Sequence, residues 1–173
     1  MSSKDKNLSE YKVDELGSIE GKKIGIVVSE WNEDITFSLK DACVETLIKH
    51  GAKEEDIHIA FVPGAFELPL GGKILYTQHQ PDAIVCIGCV IKGETKHDEY
   101  ISNAVASGIM NLNLVSSIPV IFGVLTPNSM AQALDRAGGA HGNKGVEAAV
   151  TAIKMLQLKK ELKGDKKSIG FGG

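Results

Sequence analysis

Excess charge of one sign, paired cysteine, arginine and long hydrophobic runs are all scarce in this chain, and each scarcity closes off a class of protein. The formal net charge is only -3, so there is no general pull toward nucleic acid or an anionic membrane surface. Any anion bound here must be held locally. Three cysteines, an odd number, do not make a disulfide framework, and a reducing cytoplasm is the simplest location. The longest apolar stretches, residues 83–91 and 118–125, are too short to span a bilayer. The first ten residues, M-S-S-K-D-K-N-L-S-E, contain no apolar stretch and do not read as a signal peptide. There is no internal repeat and no low-complexity block. Arg136 is the sole arginine and Trp31 the sole tryptophan.

What is present is the balance of a soluble globular protein: 173 residues, 43% hydrophobic and 24% charged, enough for one domain with a real core. Residues 1–20 are polar and without period, which predicts a flexible arm. The domain is expected over residues 21–163, and residues 164–173 are expected to be a frayed tail. Strands are predicted over residues 22–29, 56–62, 82–91 and 119–125. The third is apolar almost throughout, as a central parallel strand covered on both faces should be.

Helices are predicted over residues 34–50, ended by Gly51, and over 66–78, with Pro69 tolerable only in the first turn. A long helix is predicted from Thr95 to about Ser116, where Thr95 with Asp98 three residues on resembles a capping box. A short one over 128–136 is broken by a glycine cluster before the last, from about 143 to 162. The alternation predicts an α/β fold, a single-domain doubly wound four-stranded parallel sheet in three α/β/α layers. The right-handed crossover rule favours a flavodoxin-like strand order, 2-1-3-4.

All strand-to-helix loops then share one edge, where open α/β sheets bind ligands. The third such loop reads K-G-E-T-K-H-D-E-Y from Lys92. With the preceding strand, G-C-V-I-K-G-E-T is one residue from the phosphate-loop pattern, and Glu94 stands where the phosphate lysine belongs. A carboxylate there argues against a triphosphate, while a single phosphate monoester on backbone N–H groups remains feasible. The alternative is an ordinary turn. His97 sits beside Thr95 at this edge, and an imidazole titrates near neutral pH.

Val62 begins V-P-G-A-F-E-L-P, whose glycine lets backbone approach a ligand; Glu67 there could accept from hydroxyls or cap its helix. Trp31 ends the first strand at the same edge, either to stack on a flat heterocycle or simply to pack. The guanidinium of Arg136 suits a phosphate, with a salt bridge at a helix C-terminus as the alternative. Cys86 and Cys89 form C-I-G-C, but at strand period they point to opposite faces and read as core. His50, His58, His79 and His141 show no metal-ligand spacing and read as surface or capping residues, His50 as a cation at a helix C-terminus.

Taken together, S-E-W-N at Ser29, V-P-G-A-F-E-L-P at Val62, C-V-I-K-G-E-T-K-H at Cys89, I-P-V-I-F-G-V-L-T at Ile118 and D-R-A-G-G-A-H-G-N-K-G-V-E-A-A at Asp135 resemble the lumazine synthase family. The resemblance covers about residues 22–158, in order and without a large gap. It implies condensation of 5-amino-6-(D-ribitylamino)uracil with 3,4-dihydroxy-2-butanone 4-phosphate in riboflavin biosynthesis, with no metal and no organic cofactor. By the same resemblance His97 is the acid/base catalyst. Trp31, Asn32 and Lys144 lie about the pyrimidine, and the backbone of Cys89, Val90 and Ile91 reads its ring. Ala65, Phe66 and Glu67 contact the ribityl chain. Gly93, Glu94, Thr95 and Arg136 hold the phosphate.

Phe122, Arg136 and Lys144 match positions supplied by a neighbouring subunit. The implied partner is therefore another copy: a homopentamer, and, from the compact glycine link, an icosahedral 60-mer, with riboflavin synthase a candidate guest. The polar arm could pair with a neighbour's sheet edge. Two departures stand out: Asp98 follows the histidine where the family is usually aromatic, and Ala140 stands where many members have lysine.

Overall fold

The computed structural model describes Tyr11 and residues 16–164. Strand β1 (Ile24–Ser29), helix α1 (Glu33–Lys49), β2 (Ile57–Val62), α2 (Leu68–His79), β3 (Ala83–Cys89), α3 (His97–Ser116) and β4 (Val120–Leu125) alternate along the chain. They are followed by α4 (Met130–Asp135), β5 (Ala137–Gly139), β6 (Gly142–Asn143) and α5 (Lys144–Gly164). The four long strands form one parallel sheet ordered β2-β1-β3-β4, the doubly wound, flavodoxin-like arrangement the alternation predicted. With all four strands parallel, every carboxyl end lies on one edge.

Period-2 side chains split the sheet into two cores. Ile24, Ile26 and Val28 of β1 and Val85 and Ile87 of β3 pack with Ile35, Leu39, Val150 and Ile153 from α1 and α5. Val27, Ile84 and Cys86 face Leu75, Val105, Ile109 and Leu112 from α2 and α3. Cys86 and Cys89 fall in different cores, as the strand period requires. Burial pushes their thiols up, to about 12 and about 11, which suits inert core groups rather than a redox pair.

Several boundaries move. The third strand stops at Cys89, so Val90 and Ile91 belong to the loop. α3 begins at His97, two residues late, and the expected capping box does not form. The Thr95 hydroxyl accepts from the His97 N–H at 3.4 Å, and Asp98 reaches back to the Gly93 N–H at 3.4 Å. Pro69 does sit in the first turn of α2. The glycine cluster is a small antiparallel hairpin, Ala137↔Asn143 and Gly139↔Gly142, which polar glycine-rich sequence gives no period to reveal.

The expected flexible arm does not hold for its last residues: Leu16 and Ile19 are buried and Tyr11 packs against the same core. Residues 1–10 and 12–15, and the tail from 165, lie outside the described residues.

His50 does cap α1, and Gly51 follows at φ 96, a conformation glycine adopts without penalty. It is not the exposed cation expected there. Its ring is buried and makes a 3.2 Å contact with the Tyr11 hydroxyl. Burial, with Lys49 adding to it, lowers its pKa. His58 and His79, expected to be scattered, stack at 4.1 Å.

Two tests follow from this packing. A Cβ on Gly145 would lie 1.8 Å from the Leu39 carbonyl oxygen, where α5 starts against α1. Gly145→Ala should cost at least about 2 kcal/mol in urea unfolding; an unchanged midpoint would show that the two helices can part freely. His50 has a folded pKa below its unfolded value near 6.5. Its contribution to stability is therefore present above pH 6.5 and lost as pH falls through the folded value. Stability of the wild type should decline over that descent more steeply than that of His50→Gln, and parallel curves would remove His50 as the cause.

Candidate active site

The loops after β1, β2 and β3 close round a cleft of about 670 Å³ at the carboxyl edge, a size suited to a small-molecule site. Glu30 N–H donates to the Val62 carbonyl (2.8 Å) and Trp31 N–H to the Pro63 carbonyl (3.2 Å), so the β1–β2 ladder continues past the strands and fixes both loops. Trp31 is 75% exposed, so it is not packed into the core of its own chain. Next to it, Asn32 turns the chain into α1 at φ 62, ψ 48. That left-handed geometry is strained for most residues and easiest for asparagine after glycine. The Asn32 Nδ2 donates to the Cys89 carbonyl at 3.0 Å, tying the β1 loop to the end of β3.

On the second loop, Ala65 and Phe66 line the cleft, Ala65 buried against α2 and Phe66 56% exposed. Glu67 also lines it, and its Oε2 accepts from the Gly64 N–H at 3.0 Å. The carboxylate thus caps its turn while standing in the wall, so the two sequence readings coexist. On the third loop, Val90 N–H is held by the Leu125 carbonyl (2.8 Å) and Lys92 N–H by that of Pro127 (3.0 Å). These bonds set the course of Cys89, Val90 and Ile91 along the cleft wall. Gly93, Thr95 and His97 complete it, with the loop exposed from Lys92 to His97.

Eleven of the fifteen residues expected from the sequence therefore meet in one cleft, all but Glu94, Phe122, Arg136 and Lys144. Glu94 is exposed on the same loop. Phe122 lies on β4, the edge strand at the far side of the sheet, exposed between buried neighbours. Arg136 caps α4 and lines a separate hollow of about 360 Å³ with Thr126, Pro127 and His141. Its guanidinium donates to the His141 carbonyl (2.6 Å) and pairs with Glu147 Oε1 at 2.5 Å; Lys144 Nζ lies 3.1 Å from Oε2 of the same carboxylate.

Glu147, its side chain 7% exposed, is a residue sequence reasoning missed. An acid three residues after a lysine and eleven after an arginine carries no signal until the hairpin folds them together. Pro63, Gly64, Asp98 and Ile101 also line the cleft; of these, the sequence singles out Asp98, as a cap and as the departure beside the histidine, but not as part of the wall.

The cleft offers an aromatic face, a carboxylate, an imidazole and a loop of backbone donors at a helix start. Such a set can orient a planar polar ring and a hydroxylated chain, and move a proton beside an anionic leaving group.

A model of the 6,7-dimethyl-8-ribityllumazine synthase family matches residues 21–160. The 6,7-dimethyl-8-ribityllumazine synthase of Cytophaga hutchinsonii is 54% identical over 90% of this chain and 98% of that protein. That of Bacteroides fragilis is 55% identical over 79% of this chain and 95% of that protein. That of Phocaeicola vulgatus is 47% identical over 90% and 93%. The motifs that carry the resemblance lie within the matched span, three of them line the cleft, and the chain belongs to the 6,7-dimethyl-8-ribityllumazine synthase family.

Proposed function

We propose that the cleft at the carboxyl edge of the sheet is the site at which this enzyme condenses 5-amino-6-(D-ribitylamino)uracil with 3,4-dihydroxy-2-butanone 4-phosphate. The observation that carries the assignment is the convergence of Trp31, Asn32, Phe66, Glu67 and His97, from three separate loops, on one cleft. Trp31 stacks on the pyrimidine, and the backbone of Cys89 to Ile91, braced by Asn32, reads its polar edge. Ala65, Phe66 and Glu67 take the ribityl chain. Gly93, Glu94 and Thr95 form the phosphate cradle, assisted by the partial positive charge of the start of α3.

In the reaction, the 5-amino nitrogen attacks the ketone carbon, and loss of water gives an imine. His97 takes a proton from the carbon beside it as the C–O bond to phosphate breaks and the electron pair leaves with phosphate. Elimination leaves an enol, which takes a proton on its terminal carbon and becomes a methyl ketone; the ribitylamino nitrogen closes the ring on that new carbonyl, and a second water departs. The leaving phosphate needs stabilised negative charge, which the cradle supplies. Holding both reactants in register supplies much of the rest.

Phe122, Arg136 and Lys144 complete the site from a neighbouring copy. This reading is supported by their position outside the cleft of their own chain and by exposed apolar side chains on α2 and α3: Leu70, Ile74, Met110, Leu114 and Val115. A face of that kind calls for a protein cover. The assembly is a homopentamer, extended to a 60-mer by the short glycine link, and riboflavin synthase is its candidate guest. The proposed location is cytoplasmic. Among the described residues no helix is long and apolar enough to cross a membrane, and all three cysteines are free and buried.

Two measurements test these readings. Mixing the two substrates with purified protein should produce lumazine absorbance, and His97→Ala should slow it on the order of 10²-fold while pyrimidine binding persists. An unchanged rate removes His97 from the mechanism; no turnover in the wild type, with tight riboflavin binding, makes the chain a binding module instead. Particle mass in solution should correspond to five or sixty copies. A fully active monomer would end the shared-site reading.

A further inference from the structure

The first turn of α3 carries a carboxylate that faces the cleft and that the reaction above leaves without a part. Asp98, the second residue of α3, lines the cleft together with Gly93, Thr95 and His97. Its Oδ1 accepts from the Gly93 N–H at 3.4 Å, a long and correspondingly weak bond. From residue 92 to 99 two lysines, Lys92 and Lys96, stand against three acids, Glu94, Asp98 and Glu99. Asp98 is the acid of the three that both lines the cleft and occupies one of its backbone donors.

Resting on the reading of this loop as the phosphate cradle, we propose that Asp98 sets the grip on the substrate's phosphate group by competing with it for the Gly93 N–H. An amide N–H carries one proton. A phosphate oxygen that takes it must turn the carboxylate away and then sit close to a like charge. The contact to be broken is weak, so the carboxylate yields without blocking entry. Its charge remains on the first turn of α3 and loosens the hold. The same repulsion acts on the inorganic phosphate released by elimination, which the site must let go before the next turnover. A purely structural role, a negative charge favouring the start of α3, would affect stability and leave substrate affinities alone.

Asp98→Asn keeps the shape and an acceptor oxygen and removes the charge. In the assembled full-length enzyme it should lower the KM for 3,4-dihydroxy-2-butanone 4-phosphate and the inhibition constant of inorganic phosphate. Each should fall about five-fold, the scale of a screened charge pair, with the KM for the pyrimidine unchanged. Thr95→Ala, measured alongside, should raise the KM for the phosphate substrate. If Thr95→Ala raises it while Asp98→Asn leaves both phosphate constants unchanged or higher, the competition proposed for Asp98 is wrong. If neither variant moves them, the cradle itself lies elsewhere and the proposal falls with it.

Discussion

The hydrogen bond from the Asn32 amide to the Cys89 carbonyl, 3.0 Å long, is the tie on which the shape of the cleft depends. A parallel sheet brings strand ends to one edge but does not fix the loops that leave it. Asn32 does so twice over: its left-handed backbone turns the chain from β1 into α1, and its side chain bridges to the end of β3, the neighbouring strand. Trp31 is left projecting on one side of that bridge, and Val90 and Ile91 run on from the other. A residue that only adopted the backbone angle, such as glycine, would make the turn and lose the bridge. Leucine or valine would do neither cheaply.

A second constraint organises the charges at the far end of the same edge. One nearly buried carboxylate, Glu147, holds both Arg136 and Lys144. A buried acid with two cationic partners keeps both long side chains pointing one way, and neither cation is neutralised alone. Around them the β5–β6 hairpin supplies the His141 carbonyl to the guanidinium. The triad of Arg136, Lys144 and Glu147 keeps one positive charge in excess, and Arg136 presents its side to the hollow beside Thr126 and Pro127, which Asp135 also lines. The salt bridge anticipated as the alternative to phosphate binding therefore orients Arg136 and need not spend it.

The near-continuous apolar runs of β1 and β3, with residues 83–89 buried without exception, made the fold legible, because a parallel strand covered on both faces has no polar face to interrupt the run. The meeting of three short loops at one cleft was legible too, since each loop is a compact motif next to a strand. What sequence hid was whatever depends on chain reversal at glycine. The hairpin at 137–143 has no hydrophobic period, and Glu147 gains meaning only after that hairpin folds back. The start of α3 was missed for a related reason. Thr95 and Asp98 have the spacing of a capping box, but Thr95 found a partner two residues on and Asp98 one five residues back, and the loop kept two more residues. The polarity of residues 16–20 concealed Leu16 and Ile19, two apolar residues sufficient to seat the segment on the core.

Within a single chain the cleft is open on the side where chemistry is proposed: Trp31, Phe66 and His97 are all exposed. In water a charge interaction at contact distance amounts to about 1 kcal/mol, several times less than in a partly dry site. An imidazole and a helix start left in solvent would therefore do little for a leaving phosphate. A cover over the cleft that also brought a cation would exclude water and add charge in one step. The oriented pair on Glu147 has that character, and it sits on a surface its own cleft cannot use. On the proposed reading, assembly and catalysis are then one constraint. The apolar faces of α2 and α3 place neighbouring copies, and the same placement closes each cleft with the next copy's arginine and lysine.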